Sequence, residues 1–168
     1  WGIVHAEGIS PTLPVSLIDR EKFEQVVTLN AEAAFFLAKA MLSASIRDDR
    51  GGSIVFISSI MSMVSQPAIS SYSFSKAALT GLTKSLAIEF APKNIRVNCV
   101  SPAYVRTPLL DDMIKKWGKD QIEELISRHP LGLGEIQDVA YSTAFLLSEA
   151  ARWITGSNLL IDGGYTAL

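Results

Sequence analysis

A single cysteine among 168 residues rules out an internal disulfide and denies a metal any thiolate cluster. That residue, Cys99, sits between Val97 and Val100 in an apolar run and reads as an inert buried thiol. Histidine is almost as scarce. His5 and His129 lie far apart, neither with a carboxylate or cysteine at ligand spacing, so no metal site is expected. An excess of either charge is also lacking: a formal net charge of -2 offers no footprint for nucleic acid or an anionic membrane. No apolar run approaches the roughly 18 to 20 residues that cross a bilayer. Trp1 to Ser10 carry neither the basic start nor the long apolar stretch of a secretory signal. A cytoplasmic enzyme is the expectation that remains.

What is present fits one domain over residues 1–168, with 48% hydrophobic residues for a core and too little charge, 19%, for a disordered chain. Gly2 to Ala6 reads as a short buried strand. Ser16, with Asp19 three residues on, reads as a helix N-cap. The helix that follows is expected to bury Phe23, Val26, Val27, Phe35, Leu37, Met41 and Leu42. Asp48 to Gly52 predicts a turn into a strand over 53–58. The next helix runs to about Ala91, where Pro92 stops it. A strand over 95–100, helices over 109–117, 119–128 and 135–148, and a strand over 157–161 complete the chain. Strands alternate with helices and are apolar throughout, which predicts an α/β fold with a parallel sheet covered on both faces. Such sheets bind ligands beyond the carboxyl ends of their strands. Gly8, Ser58, Ser59 and Pro102 all follow the ends of apolar runs.

One constellation stands at such an end: Ser59, then Tyr72 thirteen residues later, then Lys76 one helical turn further on. A tyrosine and a lysine at i and i+4 share a helix face. An ammonium beside a phenol favours the phenolate and lowers a pKa that starts at about 10. Tyr72 would then suit general acid–base work near neutral pH, and Ser59 could hydrogen-bond the oxygen whose proton Tyr72 handles. Taken alone, such a pair occurs by chance on many surface helices. Its setting adds specificity: the strand Gly52 to Ser59, Pro67 in the loop, the small-residue helix Ala77 to Leu82, the strand Ile95 to Pro102, and the closing Gly156 to Gly164. In this order the parts resemble the classical short-chain dehydrogenase/reductase family over nearly the whole chain. The acyl-carrier-protein reductases are the nearest generic likeness.

The resemblance implies a Rossmann-type doubly wound parallel sheet and an oxidoreductase that moves a hydride between NAD or NADP and an alcohol or ketone. It implies that Tyr72 passes the proton, that Lys76 lowers the tyrosine pKa and bonds the nicotinamide ribose, and that Ser59 orients the substrate carbonyl. On its own, Ser59 reads equally well as a strand-end hydroxyl satisfying a backbone group. Asn30 stands where the family has an asparagine that kinks its helix and holds a relay water; a solvent-facing polar residue is the competing reading. Gly8, Tyr72, Lys76, Pro102, Val105 and Thr107 would line the cofactor, with the Val105 backbone and the Thr107 hydroxyl on the nicotinamide carboxamide. His5 and Ala6 replace two family asparagines, Glu7 a small residue, and Ala103 a glycine, so the turn at Ala103 must avoid positive φ. Arg106 and Tyr104 could contact ligand, although solvent is the expected fate of Arg106.

The glycine-rich turn that grips a dinucleotide pyrophosphate is absent from these residues. By resemblance the chain corresponds to the carboxyl-terminal two-thirds of a family member. The isolated 168 residues are therefore expected to bind no nicotinamide dinucleotide, and NAD cannot be separated from NADP. Substrate choice falls to residues 107–130 and 60–71, where Met61, Met63, Leu109, Leu110, Met113, Ile114 and Trp117 either line a pocket or only seat helices. Family members are dimers or tetramers. Here Ala34, Ala38, Ala78, Gly81 and Leu82 would permit close helix contact between copies, or simply pack internally. Two rival functions stay open: a non-catalytic truncated paralogue acting through protein partners, and a lyase or epimerase of the extended branch. The carboxyl-terminal stretch resembles the classical branch instead.

Overall fold

Hydrophobic side chains on both sides of each central strand require a layer of helices on either face, and the chain supplies them in sequence order. The computed structural model describes residues 1–42, 51–115 and 117–167, without the side chains of Leu109 and Met113. The turn expected over 48–50 and the pocket roles of Leu109 and Met113 fall outside that description. Four strands, β1 (Gly2–His5), β2 (Gly52–Ile57), β3 (Ile95–Pro102) and β4 (Asn158–Ile161), pair in parallel in that spatial order. Val4 lies beside Val55, Val55 beside Asn98, and Cys99 beside Asn158.

Parallel neighbours need crossovers, usually helical. Helices α1 (Arg20–Val27) and α2 (Ala33–Met41) connect β1 to β2. Helix α3 (Ser70–Phe90) connects β2 to β3. Helices α4 (Pro108–Ile114), α5 (Lys119–Ser127) and α6 (Ile136–Leu147) precede β4. On one face Ala38, Met41, Leu79 and Phe90 pack on Ile54, Phe56 and Val97. On the other, Leu146 of α6 packs on Val55 and Val100. Successive strand residues thus enter opposite cores, which is why these strands read as unbroken apolar runs.

Several local expectations are corrected. β1 is an edge strand with Val4 39% exposed and only His5 buried, because its outer side has no partner strand among the described residues. The helix cap is Asp19, not Ser16: its carboxylate accepts from the Lys22 backbone N–H at 2.9 Å, while Val15–Leu17 forms a separate 3-10 turn. Between α1 and α2 the chain widens into a π-helical turn, Thr28–Glu32. Residues four apart stay on one face of a helix, whereas Phe35, nine residues on from Val26, falls about 180° around from it. Val26, Asn30, Ala34 and Ala38, each four apart, face inward, while Phe35 stays 47% and Phe36 53% exposed. Ala34 and Ala38 are therefore core residues and unavailable for contact between copies.

Helix α3 begins just after a residue in a left-handed conformation, Ala68 at φ 66°, and runs unbroken to the 3-10 turn holding Pro92. The loop ahead of it carries Gln66, and its first turns carry Tyr72 and Lys76. Both segments sit over the carboxyl end of β2.

Candidate active site

At the carboxyl ends of β1, β2 and β3 lies a cavity of about 670 Å³. Its wall includes Gly8, Ser59, Tyr72, Lys76, Pro102, Val105 and Thr107, so the segments expected to meet do meet. Asn30 is not on that wall. It lies behind it, fully buried at the centre of the π-helical turn.

Lys76 and Tyr72 share one face of α3, the lysine Nζ standing 5.8 Å from the tyrosine ring centroid. Lys76 is only 4% exposed, and its ammonium donates to two backbone carbonyls, Ile57 at 2.9 Å and Glu7 at 3.5 Å. Carbonyls hold a cation less firmly than a carboxylate would, and burial pulls the Lys76 pKa down to about 8. Burial also pushes the Tyr72 phenol above its usual value, opposed by the hydrogen bond from the Ser59 side chain. The lowered phenol expected from the i, i+4 spacing is therefore not present: the ammonium is directed at carbonyls, and desolvation dominates at the phenol.

Ser59 satisfies a backbone group, as the strand-end reading expects, and also reaches Tyr72. Its oxygen accepts from the Met61 backbone N–H at 3.1 Å, closing the short turn after β2, and the same side chain bonds the Tyr72 phenol. The neighbouring Ser58 hydroxyl donates to the Lys76 carbonyl at 2.8 Å and so pins α3 to the strand end.

Asn30 ties three segments together. Its carboxamide oxygen accepts from the Ile9 N–H at 2.9 Å, and its nitrogen donates to the Ile9 carbonyl and to Ser75 Oγ, each at 2.9 Å. Ser75 in turn donates to the Tyr72 carbonyl at 2.7 Å. Ser75 was not singled out from sequence, although a serine between the tyrosine and the lysine on the inner face of their helix was the available signal.

Gly8 marks a close approach. A β-carbon there would stand 3.1 Å from Lys76 Nζ and 3.5 Å from Asn30 Oδ1. Glu7 is exposed, so its carboxylate faces solvent, while His5 is 4% exposed with neither ring nitrogen hydrogen-bonded. On the opposite wall Val105 forms a parallel bridge to Gly134, carried by Arg106 N–H to the Gly134 carbonyl (2.8 Å) and Gly134 N–H to the Tyr104 carbonyl (3.0 Å). In such a bridge the peptide groups of Val105 itself face the other way. The Thr107 hydroxyl oxygen accepts from the Leu110 N–H at 3.3 Å, which leaves its proton free to donate. Arg106 pairs with exposed Glu135 at 3.2 Å, away from the wall. Ala103 is not among the positive-φ residues, so replacement of a glycine there costs no strain.

Among the described residues these fit the nicotinamide-ribose half of a dinucleotide: a buried cation with no carboxylate partner, a glycine kept bare beside it, and free backbone groups across the cavity. Among the described residues, Lys76 is the only charged side chain on the wall. No group of three or more His, Cys, Asp or Glu side chains that could hold a metal occurs among the described residues.

A family model described as enoyl-(acyl carrier protein) reductase matches residues 2–166. A tropinone reductase homologue of Arabidopsis thaliana is 38% identical over 168 residues, covering 98% of this chain and 61% of its own. The 3-oxoacyl-(acyl-carrier-protein) reductase of Rickettsia prowazekii is 38% identical over 156 residues, covering 92% of this chain and 62% of its own. The solved structure of a 4-hydroxyisoleucine dehydrogenase complexed with NADH superposes with a TM-score of 0.89 at 37% identity, over 99% of this chain and 68% of that one. The chain thus spans less than two thirds of either curated relative.

Proposed function

The chain belongs to the short-chain dehydrogenase/reductase family, and from that membership we propose that it forms the substrate- and nicotinamide-facing part of an oxidoreductase acting on alcohols or carbonyls with NAD or NADP. Residues 1–168 act as one unit corresponding to the carboxyl-terminal part of such an enzyme. The observation that supports this most is the convergence of Ser59, Tyr72 and Lys76 on one cavity with Gly8, Pro102, Val105 and Thr107.

In this reading the nicotinamide, when bound, supplies or takes up the hydride. The chain's own residues handle position and proton. Tyr72, held protonated by burial, donates from its phenol to a carbonyl oxygen, and Ser59 hydrogen-bonds that same oxygen and fixes its direction. Lys76 stabilises the phenolate left behind and bonds ribose hydroxyls. Thr107 and the Val105 peptide hold the carboxamide, while Asn30, through Ser75 and Ile9, keeps α3 and the Gly8 loop in register. Both hydrogens of the asparagine carboxamide are committed, so a relay water would have to donate to the second lone pair of Oδ1 or use the backbone of the π-helical turn.

No described helix is long and apolar enough to cross a membrane. The reading includes a cytoplasmic setting, a small-molecule alcohol or ketone as substrate, and assembly into a dimer or tetramer. The test is Tyr72→Phe in the complete polypeptide. Turnover of a carbonyl panel should fall at least about a hundredfold, the low end for acid–base catalysis, with cofactor affinity little changed. Near-native turnover by that variant would overturn the assignment.

A further inference from the structure

Tyr104 and Gln66 come from loops after different strands, 38 residues apart, and meet across the cavity: the Tyr104 hydroxyl donates to Gln66 Oε1 at 2.9 Å. Both side chains line the cavity. Tyr104 is braced from behind. Its ring meets buried His129 edge-on at 5.8 Å, and His129 packs on Tyr165 at 4.9 Å. His129 is itself anchored to the Leu125 carbonyl at 2.7 Å.

Because the tyrosine occupies the amide oxygen, the Gln66 carboxamide presents its NH2 as the outward group, and among the described residues nothing accepts from that nitrogen. The surrounding wall is apolar, with Ile60, Met61, Ile69 and Leu110. A fixed neutral donor in such a wall selects a neutral oxygen acceptor. An anion would be better served by a cation, and Lys76, the only one on the wall among the described residues, is engaged with backbone carbonyls.

We propose that the Tyr104–Gln66 pair is a specificity site that recognises a second, uncharged oxygen on the substrate, a short carbon chain away from the reacting carbonyl. This rests on the oxidoreductase reading and narrows its substrate class to keto esters, keto thioesters and similarly oxygenated ketones. A site built to hydrogen-bond one substrate group discriminates against analogues that lack it, because the donor is then left unpaired.

The test uses three ketones with the same seven-atom chain: ethyl acetoacetate, methyl levulinate and 2-heptanone. The complete polypeptide with its nicotinamide cofactor is assayed for kcat/KM on each. An ester also activates the ketone electronically, so the readout is how the ester-to-ketone ratio changes between wild type and variant. Gln66→Glu keeps the size and still accepts from Tyr104 but has no N–H. The ratio for the better ester should fall about tenfold, the scale of one neutral hydrogen bond. Tyr104→Phe, which frees the carboxamide to turn, should lower it less. A purely structural bridge would survive Gln66→Glu, so a ratio within about twofold of wild type overturns the proposal. The Gln66 side-chain amide resonance, identified by its loss in Gln66→Glu, gives a readout independent of turnover. It should shift with an ester and not with 2-heptanone, and equal shifts from all three compounds also overturn the proposal. Failure to reduce any ketone counts against the oxidoreductase reading, and the amide resonance then decides the specificity site by itself.

Discussion

Lys76 carries the charge on which the proposed acid–base chemistry depends, in surroundings that make this charge hard to keep. It is 4% exposed, held by two carbonyls, with its pKa drawn down to about 8 by burial. Tyr72 is shifted the opposite way, upward, also by burial. Below pH 8 both groups are therefore protonated, and Tyr72 is ready to donate to a carbonyl with an ammonium nearby to stabilise the phenolate. As pH rises through about 8 the amine loses its charge while the phenol keeps its proton. Carbonyl reduction should accordingly be level below that point and decline above it, without waiting for the phenol to titrate. Lys76→Arg, which stays charged throughout, should run more slowly but lose the decline. A wild-type kcat/KM profile level to pH 10 would contradict this account. The three residues were legible in sequence because their spacing stands in a setting that resembles the family, with Ser59 at a strand end and Tyr72 and Lys76 on one helix face. Their ionisation was not, since it depends on where the Lys76 ammonium finds carbonyls. The pairing of Gln66 with Tyr104 was equally hidden: two loops meet there, and neither residue follows a period.

Among the elements, the π-helical turn at Thr28–Glu32 has the widest structural consequences. Such turns disrupt the regular i→i+4 ladder and recur at functional sites. Here the turn places Asn30 inward, where its carboxamide satisfies both backbone groups of Ile9 and reaches Ser75. Asn30→Ala would take a partner from the part-buried backbone groups of Ile9 and from buried Ser75, at up to about 1–3 kcal/mol for each group left unsatisfied. A loss of about 2–4 kcal/mol in urea unfolding is expected for the whole change. A variant within 0.5 kcal/mol of wild type, the ordinary range for surface changes, would show that the tie carries little. Periodicity revealed some of these elements better than others. Helix α3 and the central strands keep regular spacing, and their expected limits fall within a residue or two of the observed ones. The first long helix does not. Phe35, assigned to the core for its hydrophobic side chain, lies about 180° around a regular helix from buried Val26 and points outward, while Ala34 and Ala38 are buried. The Asp19 cap was misplaced for a related reason: Ser16 offers the same chemistry three residues earlier, and only the 3-10 turn at Val15–Leu17 separates the two.

At the scale of the molecule, the large exposed apolar side chains on the helical layer are not scattered. Phe35 and Phe36 project from α2, and Phe74 and Ile88 from α3, the last 77% exposed. Phe74 also contacts Phe23 of α1 at 5.3 Å between ring centroids, and Phe35 meets Phe36 at 5.4 Å. Neighbouring apolar groups left open to water mark an interaction surface. Symmetric self-association is the commonest way to cover one, each copy offering the same patch. The small residues first considered for such contact divide accordingly: Ala34 and Ala38 are used up in the core, while Gly81 on α3 has nothing within 4 Å of where a side chain would begin. Light scattering on the complete polypeptide should therefore give the mass of a dimer or tetramer, and the double substitution Phe36→Glu with Ile88→Glu should lower it. Both positions lie outside the cavity wall, so the test reads assembly without touching the proposed chemistry. If the double variant kept its mass, the helical face would not be the interface, and Trp153, 92% exposed ahead of β4, would become the next surface to probe. A monomeric wild type would remove the assembly proposal altogether, because every surface considered for it would then be open to water in solution.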